Sequence, residues 1–119
     1  MEELRIETLP EDGGVQVIKL SGPFTINTML EFPTLVREQK APFTVIDLSD
    51  VPYMDSAALG TLLGFHVSCQ REGRRYALAG ASDRLKSLFQ VAGVDGLLIG
   101  YPSVDAAKAA TRTASLGAG

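Results

Sequence analysis

The chain has 119 residues, 45% hydrophobic and 21% charged, with a formal net charge of −3. That length suits one domain able to bury an ordinary core, and the mild acidity gives no electrostatic footprint for nucleic acid. The single cysteine, Cys69, has no partner for an internal disulfide, which makes a reducing, cytoplasmic setting the expectation.

Leu4, Ile6 and Thr8 alternate with Arg5, Glu7 and Leu9, and a second strand-like run covers Val15 to Leu20. Glu11-Asp12-Gly13-Gly14 between them is turn chemistry, so the chain is expected to open with a β-hairpin ended by Ser21-Gly22-Pro23. Pro33 suits the first turn of a helix and breaks one running through it, which predicts an irregular lead-in and a helix from Pro33 to Gln39. Phe43 to Leu48 is apolar except for Thr44 and Asp47, the pattern of a central strand buried on both faces.

From Asp55 the period becomes helical. Leu59, Leu62, Leu63, His66, Val67 and Gln70 form one stripe, ending at Glu72-Gly73. Tyr76 to Gly80 reads as another buried strand. Ser82 can cap a helix carrying Leu85, Leu88, Phe89 and Ala92, stopped by Gly93. Leu97 to Ile99 is a short strand, and Pro102-Ser103 opens a last helix through Ala106, Ala107 and Ala110. The expected domain is residues 1–113, with 114–119 as a flexible tail. The order β-β-α-β-α-β-α-β-α predicts an α/β domain with a mixed, mostly parallel sheet of four to five strands and about four helices.

Enzyme signatures fail on inspection. Ser56 lacks the glycines of a G-x-S-x-G elbow. The one histidine, His66, lies ten residues along the same helix, about 15 Å away at ~1.5 Å per residue. His66 is therefore read as a partly buried structural residue. One His and one Cys make no metal cluster, and phosphate-binding glycine loops are absent, so no cofactor and no catalytic residue are assigned. The opening residues lack the basic and apolar parts of a secretory signal, and no apolar run is long enough to span a bilayer. Gly60-x-x-x-Gly64 is expected to let its helix approach the sheet closely. Arg71, Arg74 and Arg75 are expected to form a solvated turn at a helix C-terminus, where cations suit the dipole.

Asp55-Ser56 remains, at the carboxyl end of the central strand, where open α/β sheets place functional groups. Asp55 is a good N-cap, and Ser56 then occupies the first turn. The pair can be a cap alone, or Ser56 can be a phosphoryl acceptor. A phosphate there adds about −1.5 to −2 charge, which the helix dipole tolerates and Asp55 repels. Phe65 falls on a helical face with Ala58, Thr61 and Cys69, opposite the main stripe. It is either packed under a neighbouring element or part of a partner or self-association surface.

From Val45 to Ala107 the chain resembles the STAS family, specifically the anti-sigma factor antagonists. The likeness is carried by the strand ending Asp47-Leu48-Ser49, Asp55-Ser56 followed by Leu59-Gly60, the helix ending at Gly73, the Leu85 to Gly93 helix and the strand before Pro102-Ser103. The resemblance implies a cytoplasmic, non-enzymatic partner-switching regulator of transcription. Its partner would be a serine kinase that is itself the anti-sigma factor; a phosphatase would reset it, and a homodimer is possible. By position the acceptor is Ser56, and the implied partner surface comprises Asp55, Ser56, Ala57, Ala58, Thr25, Met54 and Phe65. Ala57-Ala58 stands where the family has a hydroxyl residue and glycine. Thr25 is nearest to a missing family aspartate after Gly22, and the segment before Pro33 is longer. Those departures leave open a constitutive STAS scaffold, or a ligand-binding module in a signalling or transporter assembly, without a phosphorylation cycle.

Overall fold

A computed structural model of the chain describes residues 3–10, 12–39 and 41–110. The elements are β1 (Arg5–Thr8), β2 (Val15–Ser21), α1 (Glu31–Glu38), β3 (Phe43–Asp50), α2 (Ser56–Glu72), β4 (Arg75–Ala79), α3 (Asp83–Val91) and β5 (Gly100–Tyr101), with residues 104–110 helical as α4. The sheet order is β1-β2-β3-β4-β5, antiparallel at β1/β2 and parallel thereafter. The element order and mixed sheet are those expected from the sequence. The expected tail, 114–119, lies outside the described residues.

Neighbouring strands that follow one another in sequence, joined by right-handed crossovers, put every connecting helix on the same face. Ile18, Leu20, Ile46, Leu48, Tyr76 and Leu78 point to that face and pack with Phe32 and Val36 of α1, Leu59, Leu62, Phe65 and Cys69 of α2, and Leu85 and Phe89 of α3. The opposite face carries Val15, Val17, Phe43, Val45, Ala77 and Ala79, packed with Ala107 of α4. The apolar runs of β2, β3 and β4 follow from this, since strands covered on both sides lose the alternation of a half-exposed sheet.

Several boundaries and faces differ from the sequence expectations. Helix α1 begins at Glu31, so Pro33 stands inside its first turn, where a missing N–H leaves no bond unmade. The last strand is Gly100–Tyr101 rather than Leu97 to Ile99, because its pairing is set by Leu78 N–H donating to Ile99 O and Gly80 N–H to Tyr101 O. Leu97 and Ile99 are exposed.

The buried face of α2 is rotated from the expected stripe. Ala58, Leu59, Leu62, Phe65 and Cys69 are buried, whereas Val67 and Gln70 are exposed. The edge-on contacts of Phe65 with Phe32 and its tilted contact with Tyr76 draw this side of the helix inward. Gly60 and Gly64 consequently lie on the exposed side, with nothing within 4 Å of an added Cβ, so the expected close approach to the sheet does not occur there.

The close approach falls at Gly80 instead. Its φ is +71°, and a Cβ would sit 2.8 Å from that of Ser49, at the carboxyl end of β3. Gly73, also left-handed at φ +70°, ends α2, and Arg74 N–H donates to Cys69 O at 2.9 Å. Arg74 then folds back rather than into solvent. Its Nη1 donates to Gln39 O at 2.7 Å, its Nε lies 3.2 Å from Glu72, and its guanidinium stands over Phe65. Arg75 stands over Phe43.

Gly80→Ala is expected to destabilise the domain by about 1–3 kcal/mol, from left-handed strain compounded by the Ser49 contact. Gly60→Ala, on an open helix face, is expected to stabilise it by about 0.5–1 kcal/mol. Urea unfolding midpoints of the two variants check the contrast.

Candidate functional site

Parallel strands gather their following loops at one edge of the sheet. The carboxyl ends of β2 and β3 are joined there by Gly22 N–H donating to Asp50 O, Phe24 N–H to Tyr53 O and Asp55 N–H to Phe24 O. Phe24 and Met54 form an isolated parallel bridge. The segment after β2 is thus fastened beside the start of α2. From the third loop, Arg84 in the first turn of α3 reaches over the Tyr53 ring at 5.5 Å.

Asp55 occupies the N-cap of α2 in extended conformation, as its sequence context predicts. Its Oδ1 accepts from Ala58 N–H at 2.9 Å, and its Oδ2 accepts from Ile26 N–H at 2.9 Å. One carboxylate therefore closes the helix end and holds a loop 29 residues away in sequence. Ser56 is the first helical residue and is exposed. Its hydroxyl makes no hydrogen bond recorded among the described residues.

The loop held by Asp55 is built from its own threonines. Thr25 N–H donates to Thr28 Oγ1 at 2.9 Å, Thr28 Oγ1 donates to Pro23 O at 2.7 Å, and Thr28 N–H donates to Thr25 O at 3.0 Å. Asn27 N–H donates to Thr25 Oγ1 at 3.3 Å. The segment carries two large apolar side chains that its sequence did not single out, Ile26 at 57% exposure and Leu30, at the N-cap of α1, at 76%. A polar-looking lead-in hid them. The available signal was an isoleucine and a leucine outside any periodic pattern.

The structure brings Thr25, Asp55, Ser56 and Ala57 to this edge and removes three of the expected surface residues from it. Met54 and Ala58 are buried, and Phe65 is 3% exposed between Phe32 and Tyr76. Of the two readings of Phe65, packing under a neighbouring element is the one observed, with α1 as its cover.

His66 keeps its structural role. Its Nδ1 lies 2.8 Å from the Tyr76 hydroxyl, and the rings meet edge to face. Among the described residues, no three metal-capable side chains converge, and no helix is long and apolar enough to cross a membrane.

An open α/β sheet with an exposed serine at the helix start beyond its central strand defines a surface that can be modified or bound. The STAS domain family model matches residues 8–107, and the chain belongs to that family. The anti-sigma-B factor antagonist of Staphylococcus aureus is 30% identical over 98 residues, covering 80% of this chain and 90% of the relative. An anti-sigma factor antagonist from Mycobacterium paratuberculosis has the same fold at a TM-score of 0.81 and 22% identity, over 92% of this chain and 94% of that one. The Bacillus cell fate determinant SpoIIAA, solved in its phosphorylated form, superposes at a TM-score of 0.67 and 16% identity, over 89% of this chain and 99% of its own.

Burial, with a smaller contribution from Cys69, pushes the Tyr76 phenol up to about 12 from 10.0. Below pH 10 the folded and unfolded chains both hold this proton; between 10 and 12 only the folded chain does, so stability falls as pH rises through that window. The slope is about 1.4 kcal/mol per pH unit. Urea unfolding at pH 9 and pH 11 is expected to show a larger loss in wild type than in Tyr76→Phe, and the phenolate absorbance titration of the variant should lack a late component.

Proposed function

We propose that this protein is an anti-sigma factor antagonist controlled by phosphorylation of Ser56. The observation that carries the reading is the exposed Ser56 at the start of α2, next to the Asp55 cap that accepts from Ala58 N–H. An anti-sigma factor that is also a serine kinase binds the unmodified edge and releases its sigma factor. The kinase then transfers the γ-phosphoryl group of ATP to Ser56 Oγ. The Oγ–P bond forms as the bond to the ADP oxygen breaks, and the serine proton passes to the kinase base. A phosphatase hydrolyses the phosphoserine and restores binding. In this scheme the protein works in the cytoplasm as substrate and ligand, not as catalyst.

Family membership and the relationship to the Staphylococcus aureus antagonist support the reading. The surface chemistry supports it as well. Unmodified, the edge offers neutral Ser56 and Thr25 with exposed Ile26; phosphate adds about −1.5 to −2 charge to it. A partner that buries Ile26 together with Ser56 must then desolvate that charge.

A second reading, a constitutive STAS scaffold without a phosphorylation cycle, is favoured by one feature. Thr25 stands nearest the position of the acid expected from the family resemblance, and its hydroxyl accepts from Asn27 N–H within its own loop.

Incubation with the anti-sigma factor kinase and ATP is expected to place one phosphate on Ser56, mapped by mass spectrometry. Ser56→Ala should keep kinase binding while Ser56→Asp weakens it at least about tenfold, or ~1.4 kcal/mol. Equal binding by both variants, read by calorimetry, would leave the scaffold reading in place.

A further inference from the structure

We infer that Asp55 is a positioning residue that latches the Ile26 loop to the phosphoacceptor helix, and that phosphate on Ser56 opens this latch and withdraws Ile26 from the partner. The inference rests on the reading of Ser56 as phosphoacceptor, and it assigns how the modification acts on the binding surface.

Both oxygens of Asp55 are committed, one to the helix and one to the loop. The start of the loop is fixed at Phe24 by its bonds with Tyr53 and Asp55. Beyond Phe24, the hydrogen bonds recorded for residues 25–30 stay within the 23–32 segment, except one. Ile26 N–H to Asp55 Oδ2 is the polar link, among the described residues, from this stretch to α2. Its donor is the backbone of the residue whose side chain is 57% exposed. Whatever frees that amide also loosens the Ile26 side chain, whereas Leu30, at the N-cap of α1 and two residues before buried Phe32, stays with the helix.

A phosphoseryl group at Ser56 brings three acceptor oxygens and a second anion beside the Asp55 carboxylate. The two anions repel, and they share a small set of N–H donors. The Ala58 N–H belongs to a helix start, where the dipole favours a bound anion. The Ile26 N–H belongs to a loop and has no such support, so it is the contact that yields. The occupant at Ile26 is the kinase partner that reads Ser56, because Asp55 ties the Ile26 backbone to the start of the helix that carries this serine. A pre-ordered loop presents that anchor at low entropic cost, and a released loop does not.

Asn at position 55 separates cap from latch. Its carbonyl caps a helix as well as Asp does, but its amide nitrogen cannot accept the Ile26 N–H. Amide exchange by NMR is read on the full chain as wild type, as Asp55→Asn, as Asp55→Ala, and with phosphoserine installed at position 56 during translation. Asp55→Asn is expected to melt within about 2 °C of wild type, keep the Ala58 amide protected and lose Ile26 protection about tenfold. The phosphoserine chain should show the same pattern, and Asp55→Ala should lose protection at both amides. Unchanged Ile26 protection in the phosphoserine chain overturns the latch, even where Ser56→Asp has lost kinase binding and the phosphoacceptor reading stands. Conversely, a chain that no kinase modifies but whose installed phosphate frees Ile26 defeats that reading while the latch survives. In the unmodified chain, Ile26→Ser is expected to lower kinase affinity about tenfold, or ~1.4 kcal/mol; wild-type affinity would remove the docking role of this side chain.

Discussion

The arrangement at the carboxyl edge of the sheet depends on one carboxylate with two acceptors in use. Asp55 closes the first turn of α2 through Ala58 N–H and holds the β2–α1 loop through Ile26 N–H. A helix start must satisfy N–H groups that have no partner inside the helix, and a loop must satisfy its amides without a ladder. Here the same side chain serves both needs, so the position of the exposed loop is tied to the position of the helix that carries Ser56.

This pairing is possible because of the sheet order beneath it. Sequential parallel strands bring the ends of β2 and β3 side by side, and Gly22, Phe24, Tyr53 and Asp55 stitch the two departing chains together before either becomes helical. Gly80 completes the edge by letting the third departing chain pass against Ser49. The apolar core below is ordinary in composition; its consequence for function is that it fixes α1, α2 and α3 on one face and so leaves their starts at one edge.

Much of this was legible in the residues. Continuous apolar runs marked β3 and β4, Asp55 and Ser82 marked helix starts, and Gly73 and Gly93 marked helix ends, because these signals act through local sterics and local hydrogen bonds. The errors were of another kind. The buried face of α2 was read from leucine spacing, yet a phenylalanine and a cysteine displaced valine and glutamine from the core because α1 and Tyr76 supplied aromatic partners there. The glycines of α2 suggested contact with the sheet and proved exposed, whereas the glycine that does need the contact stands after β4. Helical periodicity gives an arc of candidate positions, and the neighbouring element chooses among them.

By itself, the sequence determined the order of elements and the placement of Ser56 at the first turn of α2 with Asp55 as its cap; local backbone chemistry suffices for each. Only the tertiary structure decided that Met54, Ala58 and Phe65 leave the surface, that Ile26 and Leu30 stand exposed, and that the second oxygen of Asp55 reaches Ile26. Those facts join residues such as Ile26 and Asp55, 29 positions apart, and such contacts are set by how strands pair and helices pack, which no local pattern encodes.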